Sequence, residues 1–441
     1  MIKKILIIFA VIAFTPCVQA MSRDDLNVEF FSKFNDDTLV YYINSALENN
    51  HDLKKAEKVV EQYRQQAKIS LGKELPSFSV STNYLGVHVP ELDNFSLTRN
   101  AFILPFIANY EADFLLKNRD KTRSVNKSYE VSKLQEKTVY ISMLTDVATV
   151  YTNILQYDSL IDVARKNLAL QSQIFQSNEK KLNRGTISSM TYNISKNNVE
   201  TAKNNLENLI KQRDILLMQL AVLTGISPNE ANNLQRGDLQ NFEYCEKIPS
   251  EITSDVIFNR PDVLASEKNL EKAKIDVRVA RKEFLPTFNI TGIWAFNTIA
   301  PGTFFSWESS LAAILAGATQ DIFAGGRKIA NLKLKKAKYE ELFEDYKQTD
   351  LIAVKEVNTA LCLIKHHQNI ENNTNSKIQN SLKNLNSSKK KFEHGVISQL
   401  EYDVAYSEYL KVQNEVITAK TQRLTDYYTL YKSVGGQLWK N

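Results

Sequence analysis

Glycine and proline are absent from four long stretches of this chain, and no other feature narrows the possible folds as far. Neither residue occurs between Glu111 and Arg184, between Arg327 and His394, between Thr186 and Thr224, or between Val396 and Val434. At ~1.5 Å per residue, a helix filling the first stretch would be a rod on the order of 100 Å long. Ordinary globular helices run about 8–20 residues, so such lengths point to coiled coils. The apolar spacing agrees. Val199, Ala202, Leu206, Leu209, Leu216, Leu220 and Leu223 recur at alternating three- and four-residue steps, with Arg213 on the same seam. Residues 134–155 and 352–364 carry similar stripes. A bundle core accounts for any one stripe, whereas the uninterrupted length calls for long coiled-coil helices.

The breakers gather instead at residues 72–105 and 225–326, with isolated glycines at 185 and 395. Beside them the period changes to two. Phe78, Val80, Thr82 and Tyr84 alternate with Ser77, Ser79, Ser81 and Asn83. Phe288, Ile290, Gly292, Trp294 and Phe296 alternate mostly with Asn289, Thr291 and Ala295. Aromatics on one face and small polar residues on the other predict strands. Two less regular candidates lie near 101–108 and 307–316, and the segments 86–97 and 298–305 read as turn-rich loops.

The chain is a duplication. Leu75-Pro76-Ser77-Phe78 recurs as Leu285-Pro286-Thr287-Phe288, and Asp52 as Asp262. Lys181-Leu182-Asn183-Arg184-Gly185-Thr186-Ile187-Ser188 recurs as Lys391-Phe392-Glu393-His394-Gly395-Val396-Ile397-Ser398. Tyr192 matches Tyr402, Gln212-Arg213 matches Gln422-Arg423, and Gly225 matches Gly435, all at one offset. Asp113 and Arg119 match Asp321 and Arg327 at an offset two shorter, so two residues are regained later. A period of this size excludes short solenoid repeats. Each half reads helix, two strands, a long helical rise, a glycine-containing reversal and a helical return. Four strands cannot close a membrane barrel, and an open sheet edge in lipid leaves unpaired backbone groups at several kcal/mol each. Other subunits must complete the sheet; three chains would supply twelve strands.

The start of the chain has the anatomy of a secretory signal peptide: Lys3 and Lys4, an apolar run from Ile5 to Phe14, and Val18-Gln19-Ala20 as a cleavage site. That run is too short to span a bilayer as a helix. Pro16 stands where a lipid-attachment signal at Cys17 would want a small residue, which leaves lipidation as the lesser alternative. A net charge of +5 with interspersed Lys and Glu gives nucleic-acid binding no support. Cys245 and Cys362 remain after cleavage, in unlike contexts, and do not indicate a disulfide framework. The mature chain divides into a first repeat over 21–225, a linker over 226–260, a second repeat over 261–435 and a tail over 436–441.

These features, in this order and spacing, resemble the TolC-like outer-membrane factors of tripartite efflux and type I secretion systems, over essentially the whole mature chain. Asn259-Arg260-Pro261-Asp262-Val263 looks like the family's Arg-Pro-Asp signature, and Leu285-Pro286 like its helix-to-barrel junction. Tyr110-Glu111-Ala112-Asp113-Phe114 and Asp321-Ile322-Phe323-Ala324-Gly325-Gly326-Arg327 look like its strand-to-helix junctions. The first half departs in having Asn50-His51-Asp52, and Leu116-Lys117 where a glycine is common. The resemblance implies a homotrimer with a twelve-stranded β-barrel in outer-membrane lipid and a long periplasmic α-barrel. It also implies a mixed α/β girdle from residues 21–50, 225–260 and 435–441. A periplasmic adaptor would dock at the helical end, and an inner-membrane transporter would supply the energy to an otherwise passive duct of a Gram-negative cell.

On the residues themselves, Gly185 and Gly395 are helix-ending glycines at positive φ. The resemblance adds that Gly185, Thr186, Ile187, Ser188, Gly395, Val396, Ile397 and Ser398 form adaptor-docking tips. It also places a gate just beyond the second tip, where the family carries aspartates six and nine residues after the glycine. Here these positions hold Glu401 and Val404, with Asp403 one position early, so Glu401 and Asp403 are the candidates. The lesser alternative for Glu401 is a solvated helix carboxylate. Arg213 and Arg423 sit on the apolar seams as register devices or snorkelling side chains, with a pore role as the minor reading. The five histidines show no metal-ligand spacing, no phosphate-binding glycine loop occurs, and no cofactor or catalytic constellation is indicated. An enzyme is not expected. The rival class is a periplasmic coiled-coil adaptor or scaffold without a channel, against which the duplication and the paired strands argue.

Overall fold

In a computed structural model, residues 27–92, 95–246, 252–298 and 306–437 are described. The expected signal peptide and Cys17 lie outside these residues. The breaker-free stretches are helices: α4 spans Lys117–Asn183 and α8 Arg327–Glu393, 67 residues each. The returns are α5, Ser189–Leu223, and α9, Gln399–Ser433, 35 residues each. Ahead of them stand α1 (Glu29–Ser32), α2 (Asp37–Asn49) and α3 (His51–Gly72) in the first half, and α6 (Ser254–Phe258) and α7 (Pro261–Lys282) in the second.

Equal helix lengths fix the internal register at 210 throughout: α3 on α7, α4 on α8, α5 on α9. This corrects the pairing of Arg119 with Arg327, because the helix starts align Lys117 with Arg327. The two residues are regained in the junction, where four positions separate Asp113 from Lys117 and six separate Asp321 from Arg327. The departure at Leu116 is thereby explained. Leu116 caps α4 at φ 56°, in the left-handed region that its counterpart Gly326 occupies at φ 78°. Asp113 holds this turn by accepting from the backbone N–H groups of Lys117 at 2.6 Å and Arg119 at 2.8 Å.

Between the helices lies one antiparallel sheet. Its strands are β1 (Ser77–Val80), β2 (Asn83–Leu92), β3 (Phe95–Ala112), β4 (Thr287–Thr298) and β5 (Ser310–Thr319). β1 and β2 pair end to end with β3, so they act as one strand interrupted at Ser81 and Thr82. The order is then β1/β2, β3, β4, β5, four strands deep, with β1/β2 and β5 as edges. Pro105, which lacks an N–H, sits in β3 opposite that interruption, where its carbonyl accepts from Ser81 at 3.2 Å. The expected loop over 86–97 is mostly strand. Pairing continues to Leu92, and Pro90 falls where the register shifts on an edge strand. β5 begins after Trp307, which lies in a short helical turn.

The main core sits at mid-height, where α1 and α2 pack against α4, α5, α9 and the linker. Phe30, Phe31, Phe34, Tyr42, Tyr151, Phe242, Tyr428 and Tyr431 are its largest buried side chains. Among the described residues, the segments 21–50, 225–260 and 435–441 contain helices and turns and no strand, contrary to the mixed α/β girdle expected. Leu39, Tyr42, Ile43 and Ala46 recur at three- and four-residue steps, which buries a helix face and cannot line a sheet.

Candidate functional site

The two helix tips are built alike. Gly185 and Gly395 stand at φ 70° and 69°. Gly185 N–H donates to Leu182 O at 2.8 Å and Thr186 N–H to Lys181 O at 2.9 Å. Gly395 and Val396 repeat this toward Phe392 at 2.9 Å and Lys391 at 2.8 Å. These paired bonds close the helix ends in the Schellman manner. Ser188 and Ser398 then cap the returning helices, accepting from Thr191 N–H at 3.2 Å and Glu401 N–H at 3.3 Å. The repeated tyrosines brace the tips: Tyr402 stacks on Phe392 and Tyr192 lies against Phe175. Ile187 and Ile397 are half-buried, while Met190, Val396, Leu400 and Val404 project into solvent.

The two candidate gate carboxylates differ. Glu401 is exposed and completes a capping box, accepting from both the backbone N–H and the hydroxyl of Ser398 at 2.8 Å. These bonds hold its carboxyl below the usual glutamate range. Asp403 is only 4 % exposed and accepts from Gln399 Nε2 at 2.7 Å. Burial raises its carboxyl, with Gln399 and Lys181 opposing.

Cross-strand partners divide the sheet into two faces. Val80, Phe106, Trp294 and Ala312 share a row, and Phe78, Ala108, Gly292 and Ile314 the next, giving one aromatic and aliphatic face. Phe78, Val80, Trp294 and Ile314 are exposed on it. The opposite face carries the row Ser77, Asn109, Thr291, in which Thr291 donates to Asn109 Oδ1 at 3.0 Å.

The seam arginines pair with carboxylates on the outgoing helices: Arg213 approaches Asp158 at 3.7 Å and Arg423 meets Glu371 at 2.6 Å. His367, on α8, bonds Asp426 of α9 at 2.5 Å. No group of ligating side chains among the described residues could hold a metal ion. Sequence reasoning gave Arg260 no structural role. Its side chain, 7 % exposed, reaches Asp262 at 2.6 Å, Glu356 at 2.7 Å and the Ser433 carbonyl at 2.8 Å. It also missed Asp120, a buried acceptor for Lys282 at 2.6 Å and Arg278 at 2.9 Å that joins α4 to α7. The charge match between Asp120 and two basic residues near the end of α7 was present in the sequence, but nothing there made those helices neighbours.

Comparison with known proteins agrees with this architecture. The outer membrane efflux protein family matches residues 42–226 and 252–436. Outer membrane protein OprJ of Pseudomonas aeruginosa is 25% identical over 404 residues, covering 89% of this chain and 83% of that protein. The cation efflux system protein CusC of Escherichia coli is 23% identical over 407 residues, covering 91% and 87%. Among solved structures, the Campylobacter jejuni CmeC outer membrane channel superposes with a TM-score of 0.86 at 23% identity, covering 93% of this chain and 88% of that one. The outer-membrane channel OprN gives 0.83 at 18% identity, covering 93% of each. The duplicated helical hairpins and the four-deep sheet thus have their counterpart in known channels, and the family match over both halves sets aside the alternative of an adaptor or scaffold. The chain belongs to the TolC-type outer membrane efflux protein family: it is an outer-membrane efflux channel protein, not an enzyme.

Proposed function

We propose that three copies of this chain form one continuous exit duct, docked by a periplasmic adaptor at the helix tips and driven by an inner-membrane transporter. The observation that carries the reading is the sheet, four strands deep and open at both edges, joined directly to helices of 67 residues. Three such sheets joined edge to edge leave no unpaired backbone in lipid, with the aromatic face outward and the Ser77–Asn109–Thr291 row toward the lumen. The helices, about 100 Å long, then cross the periplasm as a barrel. The mature chain divides into repeats over 21–225 and 261–435, the linker 226–260 and the tail 436–441.

The tips offer the adaptor two equivalent surfaces, Gly185 to Ser188 and Gly395 to Ser398, with Val396 exposed in the second and Met190 and Leu400 exposed beside them. At the gate, Glu401 is the exposed carboxylate of the first turn of α9, and Asp403, two residues on, is buried and held by Gln399. Three-fold symmetry would gather three Glu401 side chains into a ring favouring cations and attracting multivalent blockers. Light scattering in mild detergent should report three chains, and planar-bilayer recordings should show cation selectivity that weakens in Glu401→Ala. A stable inserted monomer would overturn the assembly. Unchanged selectivity and block in Glu401→Ala would remove this residue from the constriction.

A further inference from the structure

The two helical hairpins of the chain, α4 with α5 and α8 with α9, stand side by side because α4 packs against α9. Between the mid-height core and the tips this seam is apolar. Val163 and Leu170 of α4 and Leu410 of α9 form a second buried cluster. Ile174, Tyr406, Tyr409 and Ile417 pack against it, and every member lies on α4 or α9. The helices therefore follow the order α5, α4, α9, α8, with α5 and α8 at the two ends of the row.

On the trimer proposed above, α8 of one chain would meet α5 of the next, and the internal offset makes that seam the repeat of α4 on α9. The repeat does not keep the apolar contacts. Where α4 has Val163, Leu170 and Ile174, α8 has Asn373, Asn380 and Asn384. Where α9 has Tyr406, Leu410 and Ile417, α5 has Lys196, Glu200 and Glu207. All six polar residues are exposed in the single chain. Tyr409 alone keeps an apolar counterpart, Val199, which is already buried in the single chain. Glu200 has a partner on its own helix, Lys203 at 3.0 Å, and needs none across the seam. Parting an apolar seam returns buried hydrocarbon to water, whereas parting a polar one exchanges protein contacts for hydration at little net cost.

We propose that the helical barrel parts along the seams between subunits, α8 of one copy from α5 of the next, while the two hairpins of each chain move as one unit. Three tight seams within chains alternate with three loose seams between them. The buried cluster of Val163, Leu170 and Leu410 holds each unit together, and the asparagines of α8 facing the charged residues of α5 let neighbouring units separate into water. The inference rests on the trimeric duct.

Thiol labelling of the full-length protein in mild detergent tests this, in a background of Cys245→Ser and Cys362→Ser. Leu410→Cys probes the seam within the chain, and Glu200→Cys probes its equivalent between chains. A maleimide coupled to a polyethylene glycol chain is too bulky for a closed helix seam, and each labelled chain shifts on a denaturing gel. Glu200→Cys trimers should label at least tenfold faster than Leu410→Cys trimers. Asn380→Leu with Lys196→Tyr copies the apolar seam onto the subunit boundary. This pair should slow labelling at Glu200→Cys at least tenfold and leave labelling at Leu410→Cys unchanged. If that variant misfolds, the two single probes decide the matter alone. Equal rates at the two probes, or no slowing in folded trimers carrying the copied seam, would overturn the proposal. Light scattering on the same samples separates the two readings. Monomers would sink the trimeric duct and the loose seams with it, whereas trimers with equal rates would sink the loose seams alone.

Discussion

Arg260 ties the entry of α7 to the last turn of α9 and to the middle of α8, and three acceptors depend on it. Water can reach Asp262 and Glu356 once the guanidinium is gone, but not the buried Ser433 carbonyl, so Arg260→Ala should destabilise the fold by about 1–3 kcal/mol. Arg260→Lys should recover only part, because a point ammonium cannot serve two carboxylates and a carbonyl at once. Denaturant midpoints check both. Burial by itself would raise Asp262, but the hydrogen bonds and charge of Arg260 overcome it and hold the carboxyl below its ordinary value of 3.8. A depressed folded-state pKa contributes stability above the ordinary value, lost as pH falls through the depressed one. The wild type should therefore lose stability below about pH 4 more steeply than Arg260→Ala. At this scale the sequence was legible where chemistry is local. Gly185 and Gly395 were readable because a helix reversal needs positive φ. The burial of Asp403 was not, since Lys181 of α4, far away along the chain, lies near its carboxylate only in the fold.

Among the elements, the long helices were read almost to their ends because nothing inside them interrupts propagation and each end carries its own signal. Ser188 and Ser398 cap, Pro261 opens α7, and the tip glycines close α4 and α8. The strands were read less well. β2 contains Gly86 and Pro90, which in isolation mark turns, and only pairing with β3 makes that segment extended. Two substitutions test the tips as elements. A Cβ at Gly185 or Gly395 would meet nothing within 4 Å, so any penalty there comes from φ alone. Gly185→Val and Gly395→Val should each cost about 1–2 kcal/mol, confined to the reversal. Amide exchange should quicken at the tips while the mass in detergent stays unchanged, and export should fall. Ser398→Ala removes half of the capping box and should cost about 1 kcal/mol, seen as faster exchange in the first turn of α9. Exchange rates equal to wild type in all three would mean that these caps do not limit the tips.

For the whole molecule, the duplication specifies an interface that one chain cannot complete. α7 packs on both α4 and α8, whereas α3 packs extensively only on α4. The difference shows in burial: Ala273 and Val279 of α7 are covered, while their counterparts Tyr63 and Ile69 of α3 lie open. On the trimer proposed above, the missing neighbour of α3 would be α8 of another copy, placed as α4 lies against α7. Within the chain that contact brings Ser124 to Asp276 at 2.5 Å, Lys282 to Asp120 at 2.6 Å and Lys127 to Glu271 at 2.9 Å. Shifted by the internal offset, the same contact sets Leu334 against Gln66, Ala330 against Gly72 and Ala337 against Glu61 of the adjoining copy. Neither ion pair is kept, since Ala330 and Ala337 stand where α4 has Asp120 and Lys127, and Leu334 is exposed in the single chain. With Cys245 and Cys362 replaced by serine, the double variant Gln66→Cys and Leu334→Cys should oxidise into covalent dimers and trimers on a denaturing gel. Each single variant should stay monomeric. A double variant that runs as a monomer, or closes a disulfide inside one chain, would show that the second half's packing is not repeated between subunits.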